Sequence, residues 1–298
     1  MKNILIIGCG LLGSSLLRRI HKKKIAKKVF VYEKSKSNIK KIKKLKLPGT
    51  IVKTLKDGAI NSDLIIFCTP MSEYKKIILK LNNINLSNTL ITDIGSSKIE
   101  SSKIFKKFLR KDLNWIQSHP IAGSEVSGPL HGREDMFVNR WCILIRDKNT
   151  KKKDLNILNK FWKRIGSKII FMTSEKHDKI FSITSHLPHL IAYNLVKSAQ
   201  DFEKNQRYDL IKYSAGGLRD FSRIAASNEI MWRDIFFNNK KHVSKAIDLF
   251  IKNLNSFKKD INSKNNKSIL RKLIQTKKVR SKIIKLKQDI DKPDFGRN

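Results

Sequence analysis

Cysteine is scarce. The chain has three in 298 residues, Cys9, Cys68 and Cys142, odd in number, far apart and without a CxxC pair. That spacing excludes a disulfide framework and a cysteine-rich zinc site, and points to a reducing compartment. Acid is scarce too, with 25 Asp and Glu against 64 Lys and Arg, a net charge of +39. Such an excess raises the question of a nucleic-acid partner. Basic residues, however, fall in nearly every block of ten and are seldom interleaved with aromatics, so they read as lysine spread over solvent-facing positions. Salt-sensitive, nonspecific binding to polyanions is expected; a specific nucleic-acid partner is not. Long apolar runs are missing as well. None approaches the ~20 residues that span a bilayer, and Ile4 to Ile7 is shorter than the ~7–15 residues of a signal-peptide core. A cytoplasmic protein without a membrane partner is expected.

What is present is a folding chain, 40 % hydrophobic, which excludes disorder. Ile4-Leu5-Ile6-Ile7 reads as a buried parallel strand. It runs into Gly8-Cys9-Gly10-Leu11-Leu12-Gly13, a complete GxGxxG, and then a segment with Leu16, Leu17 and Ile20 at helical spacing. Glycines at these positions allow a tight turn, close approach of a diphosphate and close packing of helix on strand. The diphosphate is expected on the helix N-terminus, over Gly8, Gly10, Leu11, Leu12 and Gly13. A second strand, Lys28 to Tyr32, ends at Glu33, about twenty residues beyond the last glycine, where an acid holds the adenosine ribose and favours NAD over NADP. Lys34 and Lys36 stand beside it, either able to receive a 2′-phosphate.

Alternation continues with strands at Asp63–Cys68 and Leu90–Asp93. Ligands of doubly wound sheets bind beyond the carboxyl ends of strands, which puts Thr69, Ser96 and Lys98 on the functional edge. Trp141–Ile145 and Ile169–Phe171 read as later strands, separated by the lysine-rich connector Lys148–Lys153 and a helix ending near Gly166. Between them lies Ser118-His119-Pro120-Ile121-Ala122-Gly123-Ser124-Glu125, a histidine, a hydroxyl and a carboxylate in what reads as irregular backbone. From Ser174 onward the periodicity is helical. Ser185-His186-Leu187-Pro188-His189 has two histidines three apart, but no adjacent glutamate motif or third ligand, so no metal is expected. Ser227 or Asn228 is read as the N-cap of one long helix through Met231-Trp232. Its apolar stripe, Val243, Ala246, Ile247, Phe250, Leu254 and Phe257, is expected to be buried. The basic segment Lys267–Lys287 reads as a solvated terminal helix.

Four motifs in this order, GCGLLG, SHPIAGSE at 118–125, SHLPH at 185–189 and GGLRDFSRIAASNEIMWRD at 216–234, resemble the prephenate dehydrogenase family of tyrosine biosynthesis, which includes arogenate and cyclohexadienyl dehydrogenases. The resemblance runs from Met1 to about Asn255. It implies an α/β plus all-α fold: a Rossmann-type doubly wound parallel sheet over residues 1–173, then a helical substrate-binding and dimerisation domain over 174–298. It further implies a homodimer, NAD as cofactor with NADP possible, and an active site between the domains. His119 is then the catalytic residue at the ring hydroxyl of prephenate, assisted by Ser96. Substrate contacts fall on Ser124, Glu125, Ser185, His189, Arg223 and Trp232.

The residue chemistry suits that reaction. A neutral imidazole can take up a hydroxyl proton at pH 7, and an arginine offers a carboxylate a bidentate fork that lysine cannot copy. Oxidative decarboxylation of prephenate to 4-hydroxyphenylpyruvate is the expected activity, with arogenate or dual specificity as the alternative. A different hydroxyacid dehydrogenase would share the glycine loop but has no reason for SHLPH or the RIAAS-x-x-x-MW pattern. A basic nucleic-acid binder would need none of the four.

Overall fold

Four consecutive apolar residues at the end of β1 (Asn3–Ile7) are almost wholly buried, as a strand covered on both faces requires. In a computed structural model of the chain, describing residues 1–148, 150–206 and 209–286, β1 is the centre of a six-stranded parallel sheet. The elements follow as α1 (Leu11–Lys22), β2 (Lys28–Tyr32), α2 (Lys36–Lys44), β3 (Thr50–Ile51), α3 (Leu55–Ala59), β4 (Leu64–Phe67), α4 (Tyr74–Asn82), β5 (Leu90–Asp93), α5 (Ile99–Phe108) and β6 (Asn114–Trp115). Strand order is β3-β2-β1-β4-β5-β6, so the winding reverses between β1 and β4. Register pairs Ile7 with both Tyr32 and Phe67, and Phe67 with Asp93. The carboxyl ends of β2, β1, β4 and β5 are therefore level, and their loops open on one edge. One core cluster, around Leu16, Leu17 and Ile20, lies on one face; another, around Phe67, Tyr74 and Phe105, lies on the other.

The later strands do not extend this sheet. β7 (Ser118–Pro120), β8 (Trp141–Ile145) and β9 (Lys168–Met172), with α6 (Lys152–Ile165) between the last two, make a separate three-stranded sheet in the order β7-β8-β9. β7 pairs antiparallel with β8, placing His119 opposite Ile143. The expectation of irregular backbone at 118–120 is thus corrected: His119 is on a strand, and irregular backbone begins at Ile121. Asn149 of the lysine-rich connector lies outside the described residues.

The helical part comprises α7 (Ser174–Phe181), a π-helical turn (Ser182–His186), α8 (Leu187–Gln206), α9 (Gly216–Ala225), α10 (Glu229–Asn238), α11 (Lys240–Asn262) and α12 (Asn266–Lys285). Pro188 accounts for the π turn. It has no N–H for the Thr184 carbonyl and its ring would crowd that carbonyl, so the chain widens there. The single long helix expected after Asn228 is two. Asn228 caps α10 through Met231 N–H at 2.9 Å, and the run breaks at Asn239, whose side chain is engaged elsewhere. The apolar stripe is buried at Val243 and Ala246 but Leu254 is 55 % exposed, so the expectation of continuous burial fails toward its end.

By packing, residues 1–243 form one compact unit and the chain from Ser244 another. Within the second, Asp260 accepts from Ser268 Oγ at 2.7 Å and pairs with Lys272 at 2.6 Å. The basic helix ends at Lys285, and Lys287 lies outside the described residues. No helix among the described residues is long and apolar enough to cross a membrane.

Candidate active site

The edge formed by the strand ends carries a nucleotide cradle. Gly8 has φ +88°, a conformation open to glycine without strain. A Cβ on Gly13 would lie 2.1 Å from the Gly8 carbonyl oxygen, so only glycine lets α1 pack this close to the loop. At Gly10 a Cβ would meet nothing within 4 Å. Gly10 also caps α1 without a side chain, leaving room in front of the helix amides of Leu11, Leu12 and Gly13. Glu33 Oε2 accepts from Cys9 N at 2.7 Å and Oε1 from Ser35 N at 2.8 Å, which fixes the carboxylate beside the glycine loop. At the end of β4, Thr69 Oγ1 is buried without a partner. Open space in front of helix amides, an acid for a ribose and an orphaned hydroxyl together fit a dinucleotide. Lys34 is paired with Glu73 at 2.7 Å, and Lys36 is exposed. The Cys9 thiol is pushed up to about 12 by burial and then by Glu33, so it stays protonated.

Beyond β5, a buried chain of polar groups ends at His119, which is 8 % exposed. Its Nδ1 lies 2.7 Å from His177 Nε2, and His177 Nδ1 lies 2.7 Å from Asp178 Oδ1. Asp178 caps α5, accepting from Lys98 N at 2.8 Å and Ile99 N at 2.9 Å. Burial, then the neighbouring His177, Lys98 and His186, hold the His119 imidazole well below its usual range, so it is neutral at pH 7. Burial likewise lowers His177. Phe181 sits edge-on to His119, ring centres 5.1 Å apart. Asn239, at the break between α10 and α11, donates to the Asp178 carbonyl at 2.8 Å and lies 3.1 Å from His186 Nδ1. The break therefore braces the histidines.

Beneath them, Lys98 is fully buried, its Nζ 2.8 Å from Asp93 Oδ2 and 2.7 Å from the Ser118 carbonyl. Asp93 also accepts from Tyr74 Oη at 3.2 Å and Gly95 N at 3.0 Å. A buried pair survives when both ions have such further partners. Lys98 thus lies under the functional edge, not on it, and anchors β7 to β5 from below. Ser118 Oγ completes that anchor on the Asp93 carbonyl, at 2.9 Å.

The helical side contributes a second group of residues. Arg223 of α9 reaches Glu125, six residues past His119, at 3.1 Å. His189 stacks on Trp232, centroids 3.8 Å apart and planes 23° from parallel. His189 Nδ1 pairs with the Ser185 carbonyl at 2.9 Å; a carbonyl only accepts, so Nδ1 carries the proton and Nε2 is the acceptor nitrogen. Trp232 is 5 % exposed and its indole N–H is buried without an acceptor. Two residues on, Asp234 accepts from Ser72 N at 2.8 Å, tying α10 to the loop after β4. Ser124 is exposed and Ser185 half-buried.

The residues expected at the site therefore fall into three groups: Gly8 to Gly13 with Glu33 and Thr69, then His119, then Glu125 with Arg223 and His189 with Trp232. Ser96 makes no hydrogen bond to His119 Nδ1, and its expected assistance to His119 is a matter for the Nε2 side and the substrate hydroxyl. The partner of His119 Nδ1 is His177, and the Ser96 main chain lies against His186 instead. Sequence reasoning missed His177, Asp178, Asp93, Asp234 and Asn239. The adjacent His177-Asp178 pair, both buried in α7, was the one visible signal.

A switch-point glycine cradle, an acid after β2 and a buried neutral imidazole on β7 are the parts expected of a nucleotide-dependent oxidoreductase. Residues 16–171 match the family described as "Prephenate dehydrogenase, nucleotide-binding domain" and residues 173–276 the one described as "Prephenate dehydrogenase, dimerization domain". The chain belongs to the prephenate dehydrogenase family. It is 31 % identical to a cyclohexadienyl dehydrogenase of Zymomonas mobilis, over 97 % of this chain and 98 % of that one. It is 28 % identical to a prephenate dehydrogenase of Bacillus subtilis, over 90 % and 72 %. The solved structure of prephenate dehydrogenase from Aquifex aeolicus in complex with hydroxyphenyl propionate and NAD+ superposes with a TM-score of 0.87 at 33 % identity, covering 95 % of this chain and 98 % of that one.

Proposed function

We propose that this protein oxidatively decarboxylates prephenate to 4-hydroxyphenylpyruvate with NAD as the oxidant. The observation that carries the reading is that Arg223 of α9 is brought to Glu125, in the loop that follows the strand bearing the buried neutral imidazole of His119. The substrate is a ring alcohol with two carboxylates. Bound NAD supplies the acceptor for the hydride leaving the alcohol carbon. His119 Nε2 takes up the hydroxyl proton as the C–H bond breaks. As carbon dioxide leaves and the ring becomes aromatic, the proton returns to the phenolic oxygen, so proton and electron counts balance. Arg223 receives a substrate carboxylate, releasing or sharing Glu125. The Trp232 N–H and His189 Nε2 offer one donor and one acceptor to the rest of the substrate. Ser96, Ser124 and Ser185 remain assigned to the site, Ser96 acting from the loop after β5.

Two features favour NAD over NADP in this reading: Glu33 follows β2 as an acid suited to ribose hydroxyls, and Lys34 is already paired with Glu73. We place the boundary between the nucleotide-binding and helical domains at 173/174, and assign the helical domain to a homodimer. In its support, α9 buries none of its residues, and Ile211, Tyr213 and Phe237 are 58, 78 and 69 % exposed, large apolar side chains of the kind a second copy covers.

Similarity to a cyclohexadienyl dehydrogenase favours a second reading, in which arogenate is also accepted. Initial rates of NADH formation with prephenate and with arogenate test both. Prephenate turnover supports the proposal, comparable rates make the enzyme dual-specific, and turnover of arogenate alone overturns it.

A further inference from the structure

His119 can act as a base at Nε2 only if Nε2 is the bare nitrogen of its neutral ring, and nothing about a lone imidazole ensures this. Here the choice can be followed atom by atom. Asp178 receives backbone N–H groups on both carboxylate oxygens, from Lys98 on Oδ1 and Ile99 on Oδ2, at the N-terminus of α5. Backbone amides can only donate, and a helix N-terminus favours an anion, so Asp178 faces His177 as an ionised acceptor. His177 Nδ1, 2.7 Å away, must then carry the proton. His177 Nε2 is left as an acceptor, and the nitrogen 2.7 Å from it, His119 Nδ1, must be the donor. The lone pair of His119 is thereby placed on Nε2.

We infer that His177 and Asp178 are positioning residues that set the tautomer of His119 and hold a negative charge two hydrogen bonds behind it. This rests on the assignment of His119 as the base. The charged and titratable groups around the ring are His177 and Asp178 from α7, Lys98 from the start of α5 and His186 from the π turn; Phe181 lies edge-on to it. Lys98 is matched by Asp93, and His186 sits against Asn239. Asp178 is therefore the anion that can balance an imidazolium at 119. The Asp178→Asn side chain has one acceptor for two amides and turns its NH₂ toward His177. The chain of donors then reverses, His119 takes a proton on Nε2, and the base is lost. An Asp-to-Asn change behind a catalytic histidine acts this way elsewhere, lowering kcat by about 10⁴.

The test uses full-length protein with ¹⁵N-labelled histidine and no ligand, at pH 7.5. Long-range ¹H–¹⁵N correlations report which ring nitrogen bears hydrogen, with His119 assigned by its absence in His119→Asn. The expected wild-type pattern is Nδ1 protonated and Nε2 bare. Asp178→Asn is expected to invert it and to lower kcat roughly 10²–10⁴-fold with KM little changed. His119 protonated on Nε2 in the wild type would overturn the inference, and this spectrum decides even if Asp178→Asn does not fold. An Asp178→Asn protein that keeps both the wild-type tautomer and kcat would also overturn it. A wild type that shows the expected tautomer yet turns over neither prephenate nor arogenate would sink the functional reading and leave the relay standing.

Discussion

The guanidinium of Arg223 lies 3.1 Å from the carboxylate of Glu125, 98 residues earlier in the chain. Neither side chain is deeply buried, at 43 and 30 % exposed, so the pair itself adds little stability. Its consequence is positional: α9 delivers a planar cation to the loop that begins two residues after His119. Under the proposed function, a substrate carboxylate would meet a cation already oriented.

Arg223→Lys should therefore raise KM for prephenate while leaving kcat nearly unchanged. Loss of a charge-assisted hydrogen bond costs about 1.5–3 kcal/mol, roughly a 10- to 150-fold rise in KM. Steady-state kinetics at saturating NAD check this. An unchanged KM would move the anchor to another residue.

Under the proposed function, cofactor choice depends on Glu33 and on the Lys34–Glu73 pair. The wild type should prefer NAD, and Glu73→Gln should improve use of NADP by releasing Lys34 for a 2′-phosphate. The ratio of kcat/KM for the two cofactors measures both effects. Equal or better turnover of NADP by the wild type would show that the lysines beside Glu33 outweigh it.

Two glycines of the same loop should fail differently when replaced by alanine. Gly13→Ala drives a Cβ to 2.1 Å from a backbone oxygen and should cost about 1–3 kcal/mol, lowering Tm by roughly 2–10 °C. Gly10→Ala meets nothing in the free protein, so its Tm should hold while NAD affinity falls, because the methyl occupies the space assigned to the diphosphate. Thermal melts with and without NAD separate the two. Equal thermal damage from both changes would contradict the assignment.

Stability should fall as pH drops below neutrality. His186 is lowered from 6.5 to about 4, chiefly by burial, and His119 and His177 are lowered by burial as well. The unfolded chain binds protons near pH 6.5 while the native rings do not, so stability is full above that value and is lost as pH falls toward the folded pKa. For His186 alone the loss between pH 7.5 and pH 5 is about 2 kcal/mol; the other two act in the same direction. Urea unfolding across this range checks it, and a flat midpoint from pH 7.5 to 5 would contradict the burial of neutral histidines.

Much of this molecule is legible in its sequence because the signals are local. Ile4–Ile7 followed by GxGxxG and then Glu33 is a contiguous pattern, and His119, Glu125 and Arg223 stand in motifs. The rest depends on contacts that no local pattern announces. β7 is three residues long, too short for alternation to show, and it exists through pairing with β8. His177 meets His119 across 58 residues. Asn239 ends α10 because its amide is engaged by Asp178 and His186, whereas helical periodicity runs straight through it. Lys98 reads from its place after β5 as a residue of the functional edge, and only its pairing with Asp93 shows it to be buried. In each case tertiary partners override a reading from local propensity.

The central claim is that the His119 imidazole is the base, and it is tested most directly by His119→Asn in the full-length enzyme. Single-turnover oxidation of prephenate should slow by roughly 10²–10⁴-fold, while the Kd for NAD, measured separately by titration, stays at the wild-type value. An undiminished rate would contradict the account.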